Sequence, residues 1–401
     1  MGNWVKVKIS DIGEVVGGAT PSTKNEQYYN GDISWITPKD LSDFKGRFIS
    51  RGERNITQQG LESCSTRLLP KNTILFSSRA PIGYVAIADK IMCTNQGFKS
   101  VIPNENVDYM FLYYLLKYNK DRIEAMGSGT TFKEVSGSTM RNIEVVIPNS
   151  ISEQKKIANI LDAIDSKIEN NQEININLQK QSQTIFSKWL ATHLSTANEV
   201  TLGDICLKVT DGSHFSPKDV PLATIPMLSV KDMQEFDFDF TGCKHISDED
   251  YEKMIANDCV PQVDDILVAK DGSYLKEIFI CNEQRKIAIL SSIAIFRADC
   301  SKIFPEILLA FLKSPRVLQE VRDNYVSGSA LPRIVLKDFK KFHFLLPDIN
   351  AQYEISPLLS SIRTRLAVNV AENQRLQQLR DNLLPKLMSH EIDVSSVNLG
   401  N

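Results

Sequence analysis

A heptad pattern of apolar residues, which occurs twice at an offset of 198 residues, most constrains how this chain can fold. In the first copy the apolar stripe steps by three and four residues from Ile157 to Trp189, and in the second it runs from Ile355 to Leu387. Such spacing predicts a single apolar face along a long helix. The sequence therefore predicts two long helices with matching apolar faces.

Two asparagines interrupt each stripe at corresponding positions, Asn171 and Asn175 in the first copy and Asn369 and Asn373 in the second. A polar side chain in an apolar seam costs stability unless it finds a polar partner, and its usual benefit is to fix the register of pairing. Because both pairs lie near the middle of their stripes, an antiparallel arrangement would bring asparagine opposite asparagine. The pattern favours two helices that pack on each other over two unrelated helices that face solvent.

The duplication also covers the segments that precede the long helices. Trp35–Leu41 corresponds to Met227–Met233, and Thr73–Phe76 corresponds to Asp265–Val268. In each copy, short β-like runs bounded by turn residues alternate with helical stretches, which indicates globular parts of mixed α/β structure.

We therefore predict an α+β fold with two similar mixed α/β domains, separated by two long helices that pair as an antiparallel coiled coil with pseudo-two-fold symmetry. The predicted boundaries are 1–150 and 196–348 for the domains, and 151–195 and 349–393 for the helices. Within the second copy, Phe304–Arg322 has helical spacing. Pro385 is predicted to end or bend the second long helix near Leu384, because proline cannot donate the backbone hydrogen bond of a helix interior.

Composition excludes several classes of protein. No apolar run approaches the roughly 20 residues that a membrane helix needs, so we expect no membrane partner. The seven cysteines are scattered and never form a CxxC pair, which is typical of reduced thiols in a cytoplasmic protein and not of a disulfide framework or a zinc site. The net charge of −3 shows no basic excess of the kind that favours unaided nucleic-acid binding. Any DNA binding would need basic residues clustered on one face, or a partner that supplies phosphate contacts.

Motifs of catalysis are absent from the sequence. It contains no GxGxxG, GxxxxGK[ST], HExxH or GxSxG, and no Asn-Pro-Pro-Tyr-like loop of a base methyltransferase. Asp264, Asp265 and Lys270 resemble a metal-dependent nuclease site superficially, but the first copy has Asn72 and Thr73 where the two carboxylates stand. We therefore expect no enzyme activity, no metal and no cofactor.

Polar turns at corresponding places in the two copies remain as candidates for reading bases. Arginine can pair with guanine, and an amide side chain can pair with adenine. The alternative is that the turns serve only the backbone, as glycine-rich turns often do. The copies are alike in framework and differ in these polar residues, which favours recognition. Candidate DNA-binding residues are Thr20, Ser22, Lys24, Lys39, Arg79, Asn95, Gln96 and Lys133 in the first copy, and Ser213, His214, Lys231, Lys270, Tyr274 and Arg333 in the second.

Several stretches resemble the specificity (S) subunits of type I restriction–modification enzymes. They are the opening Trp4–Gly13, the run Trp35–Leu41, the turn Ser78–Gly83, Gln154 at the start of the first long helix, and the closing Leu379–Ser389. The resemblance covers residues 4–393. It departs from the family in the second copy, where Asp271 and Gly272 replace the Arg-Ala-Pro turn.

The resemblance implies a non-catalytic subunit that recognises double-stranded DNA. Each target-recognition domain would read one half of a split, asymmetric site, and the helices would set the spacing and dock two methyltransferase (modification) subunits. Restriction subunits would complete the complex. The rival hypothesis is a coiled-coil protein-interaction adaptor that never touches DNA, and a nuclease or methyltransferase acting alone is a second rival.

Overall fold

Two long helices, Ile151–His193 and Ser356–Met388, run through a computed structural model that describes residues 3–42, 44–129, 133–272, 275–327, 332–394 and 397. The chain divides into two compact units. The first comprises Met1–Glu169 with Arg375–Asn401, and the second comprises Asn170–Gln374. Each unit contains one globular part and a stretch of both long helices.

The globular part of the first unit is built on a five-stranded sheet among its described residues. The strands lie in the order Gly13–Gly17, Lys99–Pro103, Ile74–Ser78, Ile82–Ala88 and Phe48–Ile49. A smaller sheet joins Asn55–Ile56, Tyr29–Ile36 and Cys93–Thr94, and Trp4–Lys8 pairs antiparallel with Glu144–Pro148. The helices are Ile9–Ile12, Gln58–Glu62, Tyr109–Tyr118, Lys120–Ala125 and Gly137–Asn142, with 3₁₀ turns at Glu26–Tyr28 and Pro38–Leu41.

The second globular part repeats this plan. Its main sheet, as described, has the order Cys206–Asp211, Ile293–Ala298, Ile266–Ala269 and Ile278–Ile280. Smaller sheets join Lys244–Ile246 with Ile225–Leu228 and Ala288–Ile289, Asn198–Thr201 with His343–Leu346, and Val326–Ser327 with Arg333–Ile334. The helices are Leu202–Ile205, Asp248–Ala256, Pro305–Leu312, Pro315–Asn324, Leu336–Phe339 and Ile349–Gln352, with 3₁₀ turns at Leu194–Thr196 and Val230–Asp232. The predicted fold, with two similar mixed α/β parts and two long helices, is confirmed.

A buried glutamine makes the same kinds of contact near the start of each long helix. Gln154 donates from Nε2 to the Pro148 carbonyl at 2.9 Å and accepts from the Asp108 amide at 2.9 Å. Gln352 donates to the Pro347 carbonyl at 3.1 Å and accepts from the Phe304 amide at 3.2 Å. Both glutamines are fully buried. Because their contacts are equivalent, the duplication extends to individual hydrogen bonds.

The two long helices pair antiparallel within the second unit. The Asn171 Nδ2 donates to the Asn373 Oδ1 at 2.8 Å, and the Asn369 Nδ2 donates to the Asn175 Oδ1 at 2.7 Å. Residue numbers therefore rise along one helix as they fall along the other. At the end of this stretch the Trp189 indole donates to the Ala351 carbonyl at 3.2 Å. The predicted antiparallel pairing of the helices is confirmed.

The apolar stripes of the long helices belong to the cores of the units. In the first unit, Ile157 and Leu161 pack in one cluster with Leu387, which lies near the end of the second long helix. In the second unit, Phe186 and Ile355 lie in the cluster that also contains the helix Pro305–Leu312. Each globular part is thus packed on helical residues of its own unit, and burial of this apolar area favours that packing.

Two helix ends differ from what the sequence suggested. The second long helix does not end at Leu384, because Pro385 lies inside it and the helix continues to Met388. Pro385 removes one backbone donor, but Leu387 and Met388 are buried, and their packing outweighs that loss. The stretch Phe304–Arg322 is helical as predicted but is divided into two helices, because Ser314 accepts a hydrogen bond from the Val317 amide and begins the second one.

The asparagine pairs give a direct test of the seam. We expect Asn369→Leu to lower the free energy of unfolding by about 1–3 kcal/mol, because the buried Asn175 Oδ1 loses its donor. The double variant Asn175→Leu/Asn369→Leu should recover most of the loss, since it removes both polar groups. Urea unfolding followed by circular dichroism measures these differences.

Asn177→Leu serves as the control, because Asn177 is exposed on the same helix and should change stability by no more than about 0.5 kcal/mol. A double variant whose loss equals the sum of the two single losses would contradict the pairing.

Candidate nucleic-acid interface

Polar loops of the first globular part, which are distant in sequence, meet beside its main sheet. The Ala19 amide donates to the Thr94 carbonyl at 3.1 Å, and the Thr20 hydroxyl donates to the side-chain oxygen of Gln96. Gly18 allows this approach, because a Cβ at that position would lie 2.1 Å from the Thr94 oxygen. The loop after Gly13–Gly17 and the loop after Cys93–Thr94 therefore form one surface.

Two aromatic side chains hold the loop that follows the strand Gly13–Gly17 by hydrogen bonds to its carbonyls. The Trp35 indole donates to the Ala19 carbonyl at 3.0 Å, and the Tyr29 hydroxyl donates to the Pro21 carbonyl at 2.7 Å. Ser22 and Lys24, which follow, are exposed. Burial raises the pKa of the Cys93 thiol, under the same surface, to about 12, so this cysteine stays a neutral packing group. The loop is thus rigid at its base and polar at its tip.

Arg79 lies at the edge of this surface, on the turn that follows Ile74–Ser78. The Ser78 amide donates to the Gly97 carbonyl at 2.7 Å, which ties this turn to the loop that contains Asn95 and Gln96. The Arg79 guanidinium is about one third exposed and lies 3.7 Å from a Glu134 carboxylate oxygen. Lys133, next to Glu134, is exposed. Arg79, the Asn95–Gln96 amides and Lys133 are therefore brought to one region.

Lys39 joins the same region through the 3₁₀ turn Pro38–Leu41. Gly97 packs against Pro38, where a Cβ on the glycine would lie 2.7 Å from the proline Cγ. The Lys39 ammonium lies 2.7 Å from a Glu53 carboxylate oxygen, and both side chains are exposed. This hydrogen bond raises the pKa of Lys39, which keeps its side chain positively charged.

The second globular part holds its corresponding loops with equivalent backbone hydrogen bonds. The Lys270 amide donates to the Ser292 carbonyl at 3.0 Å, as Ser78 donates to Gly97 in the first part. The Ile334 amide donates to the Lys270 carbonyl at 3.0 Å, and in the first part the Val135 amide donates to the Ser78 carbonyl in the same way. The framework of the surface is therefore duplicated, although the side chains on it differ.

Two of the candidate residues in the second part are buried. The Lys270 side chain is 8% exposed, and its ammonium lies 2.8 Å from an Asp211 carboxylate oxygen. Ser213 is 5% exposed, and its hydroxyl donates to the Phe215 carbonyl at 2.7 Å. Both side chains are occupied in holding the loop, as is the fully buried Ser78 at the position of Lys270 in the first part.

Other candidates in the second part are exposed. His214 has its Nε2 3.4 Å from the second oxygen of Asp211, with the ring largely in solvent. Lys231 is exposed on the 3₁₀ turn Val230–Asp232, and Arg333 is exposed on a short strand that bridges to Asp271. Tyr274 lies outside the described residues. Asp211, which contacts both Lys270 and His214, was not among the predicted residues, although it lies close to Ser213 and His214 in the sequence.

The residues that resemble a nuclease motif do not form a site. Asp265 is fully buried and makes two hydrogen bonds with Arg297, of 2.7 and 2.8 Å. Asp264 pairs with Arg363 at 2.7 Å, and Lys270 pairs with Asp211. Within the described part of the chain, no group of three or more His, Cys, Asp or Glu side chains could hold a metal ion. Over the same residues, no helix has the length and apolar character that crossing a membrane requires.

Arg47 attaches the first globular part to its long helix, and nothing in the sequence marked it. Its side chain is 6% exposed and lies 2.7 Å from Glu169, with a further ion pair to Asp162. It also donates to the Ser166 hydroxyl at 2.9 Å. In the second unit, Asp237 has a comparable place, because it accepts from Arg285 and from Gln374 of the second long helix.

We expect Arg47→Ala to lower the free energy of unfolding by about 1–3 kcal/mol, because two carboxylates lose their cation and the loop loses its attachment to the helix. Arg47→Lys should recover only part of the loss, since lysine cannot make the forked contact to Glu169. Urea unfolding followed by tryptophan fluorescence provides the measurement. Arg51→Ala, at an exposed arginine nearby, is the control, and equal stability of Arg47→Ala and this control would refute the attachment.

Comparisons with known proteins converge on one family. The family model for the type I restriction modification DNA specificity domain matches residues 1–180. The specificity subunit of the type I restriction enzyme MjaIX from Methanocaldococcus jannaschii is 34% identical over 426 residues, which cover 98% of this chain and 95% of that protein. The EcoR124I/EcoR124II specificity subunit from Escherichia coli is 32% identical over 171 residues, 39% of this chain and 40% of that protein.

A solved structure shows the same fold. The crystal structure of the type I restriction-modification S subunit from M. genitalium matches with a TM-score of 0.57 and 20% identity, and the match covers 96% of both chains.

Proposed function

The chain belongs to the specificity subunits of type I restriction enzymes, and on this premise we propose that each globular part reads one half of a bipartite, asymmetric site in double-stranded DNA. Subunits of this family recognise DNA sequences and act in complexes with methyltransferase and restriction subunits, which carry the catalysis. In this proposal, 1–150 and 196–348 are the two target-recognition domains, and 151–195 and 349–393 are the spacer helices.

One observation carries the proposal, namely that equivalent backbone hydrogen bonds present different side chains in the two copies. Ser78 and Lys270 make the same two backbone contacts, yet the neighbouring Arg79 has Asp271 as its counterpart. A framework that tolerates such changes can present a different set of donors and acceptors to bases without refolding. Two unlike surfaces in one chain therefore support an asymmetric site.

The candidate residues differ in the chemistry that they would offer to DNA. Arg79 and the amides of Asn95 and Gln96 have the chemistry for guanine and adenine, respectively. Exposed cations have the chemistry for phosphate oxygens, which set position without specifying sequence; they are Lys24, Lys39, Lys133, Lys231 and Arg333. Thr20, Ser22, His214 and Tyr274 complete the proposed contacts. Ser213 and Lys270 act by holding the loop.

The paired helices are proposed to set the spacing of the half-sites and to dock two methyltransferase subunits. Apolar side chains remain exposed on these helices although their seam is closed. They are Ile176, Leu358, Val368 and Leu379, each between 40% and 51% exposed. In this proposal they contribute apolar area to the docking surface, since contiguous apolar patches mark protein-binding sites. In this role the asparagine pairs fix the register on which the spacing depends.

We expect Arg79→Ala to relax the recognised sequence at one base pair of one half-site and to weaken binding about 10- to 100-fold, the loss expected for one arginine–guanine pair. Lys90→Ala is the control, because it removes an exposed charge beyond the other end of the strand Ile82–Ala88. Mapping of methylated adenines in cells that also express the methyltransferase subunits gives the motif, and competition binding gives the affinity. Relaxation in both halves, or in neither, would count against the assignment.

Lengthening both helices tests the spacer. Leu178 and Leu366 lie opposite each other in the register set by the asparagine pairs. One heptad inserted next to each of them preserves the seam and adds about 10 Å, or about three base pairs of DNA, to the unread gap. The methylation motif should therefore keep both halves and gain that gap.

An unchanged gap in the double-insertion protein would refute the spacer role. A single insertion is the control, since it breaks the register and should abolish specific methylation. Stable complexes with methyltransferase subunits that show no sequence-specific methylation would favour the adaptor hypothesis.

A further inference from the structure

The loop that follows the strand Cys206–Asp211 is fixed at its start by hydrogen bonds of Ser213. The Ser213 amide donates to the Ile289 carbonyl at 2.8 Å. The Ser213 hydroxyl accepts from the Phe215 amide at 3.1 Å and donates to the Phe215 carbonyl at 2.7 Å. Both backbone polar groups of Phe215 are therefore held by one buried side chain.

The same loop is also fixed after Phe215. The Lys244 ammonium donates to the Ser216 hydroxyl at 2.8 Å and to the Pro217 carbonyl at 2.9 Å. The Asp219 carboxylate accepts from the His245 amide at 2.9 Å. These contacts dock the loop on the strand Lys244–Ile246, so the segment around Phe215 is ordered on both sides.

The ring of Phe215 nevertheless remains 56% exposed. A single exposed apolar residue is ordinary on a protein surface, but a mobile loop would leave its ring without a fixed position. Here the backbone is held on both sides, next to the exposed His214. The corresponding loop of the first globular part presents Ser22, Thr23 and Lys24 instead. The equivalent backbone contacts of Ala19 and Ser213 align Phe215 with Pro21, so the second copy presents an exposed apolar ring where the first has a buried proline.

We propose that Phe215 is a specificity-determining residue whose ring packs against the 5-methyl group of a thymine in the half-site read by the second globular part. This inference rests on the proposed function. The thymine methyl is the apolar group that bases display in the major groove, and an aromatic ring is a suitable contact for it. Because the loop is already ordered, the ring can discriminate thymine from cytosine without a cost of loop ordering on binding.

The test uses the chain assembled with its methyltransferase subunits and a duplex carrying the motif found by methylation mapping. Each thymine of the motif is replaced in turn by deoxyuridine, which removes only the methyl group. In the wild-type complex, one replacement should weaken binding about three- to fivefold, the effect of one buried methyl group. Phe215→Ala should weaken binding of the unmodified duplex by at least this factor, and should be insensitive to that same replacement.

Leu207→Ala is the matched control, because Leu207 is 69% exposed on the strand that leads into the loop. It should bind and respond to deoxyuridine as the wild type does. Since the Phe215 ring is largely exposed, Phe215→Ala should also melt at the wild-type temperature, which separates recognition from folding.

A half-site without thymine would overturn the inference, and so would a wild-type complex that responds to no replacement. A Phe215→Ala complex that keeps the full wild-type response would overturn it as well. Failure of the proposed function has a different signature, because the wild-type complex would then methylate no bipartite motif at all.

Discussion

The hydrogen bonds between asparagines in the helical seam determine which residues face each other there. Asn171 pairs with Asn373 and Asn369 pairs with Asn175, and all four side chains are at least nine-tenths buried. A shift of one heptad in one direction would place all four amides opposite leucine or isoleucine, and a shift in the other direction would do so for Asn175 and Asn373. There the lost hydrogen bonds would carry a desolvation cost. An apolar seam alone discriminates poorly between such registers, because leucine and isoleucine pack acceptably in several of them. The polar layer therefore supplies the specificity of pairing, whereas the apolar residues around it supply most of the stability.

In the globular parts, likewise, backbone hydrogen bonds fix the arrangement of the loops, whereas side chains provide the specificity. The contacts that assemble the loops use amides and carbonyls, for example Ser78 to Gly97 and Lys270 to Ser292, so they do not depend on side-chain identity. Side chains at the tips can then differ between the copies, as Thr20 and His214 do, while the framework stays the same. A duplicated scaffold of this kind can present two unlike recognition surfaces from one chain.

The duplication, the mixed α/β class and the antiparallel pairing were predictable, because each leaves a repeated pattern in the sequence. Arg47 was not predictable, because its partner Glu169 lies 122 residues away and neither residue belongs to a periodic pattern. The burial of Lys270 could not be predicted either, since only the fold brings Asp211 beside it. The predicted helix end near Pro385 was wrong for the opposite reason, because a local rule about helices was outweighed by tertiary packing of the last turn. Long-range contacts and packing thus account for what the pattern could not predict.

At the candidate interface, as in the chain as a whole, acidic residues accompany the basic ones. Lys39 is paired with Glu53, and Arg79 lies near Glu134, so carboxylates accompany the cations that would meet DNA. A neighbouring carboxylate lowers the positive potential that attracts phosphate, and nonspecific affinity for DNA depends chiefly on that potential. On the proposed function, the chain would therefore bind random DNA weakly and depend on base contacts for selection. Phosphate contacts from the methyltransferase subunits would then supply much of the affinity, so that tight binding requires both the assembled complex and the correct sequence.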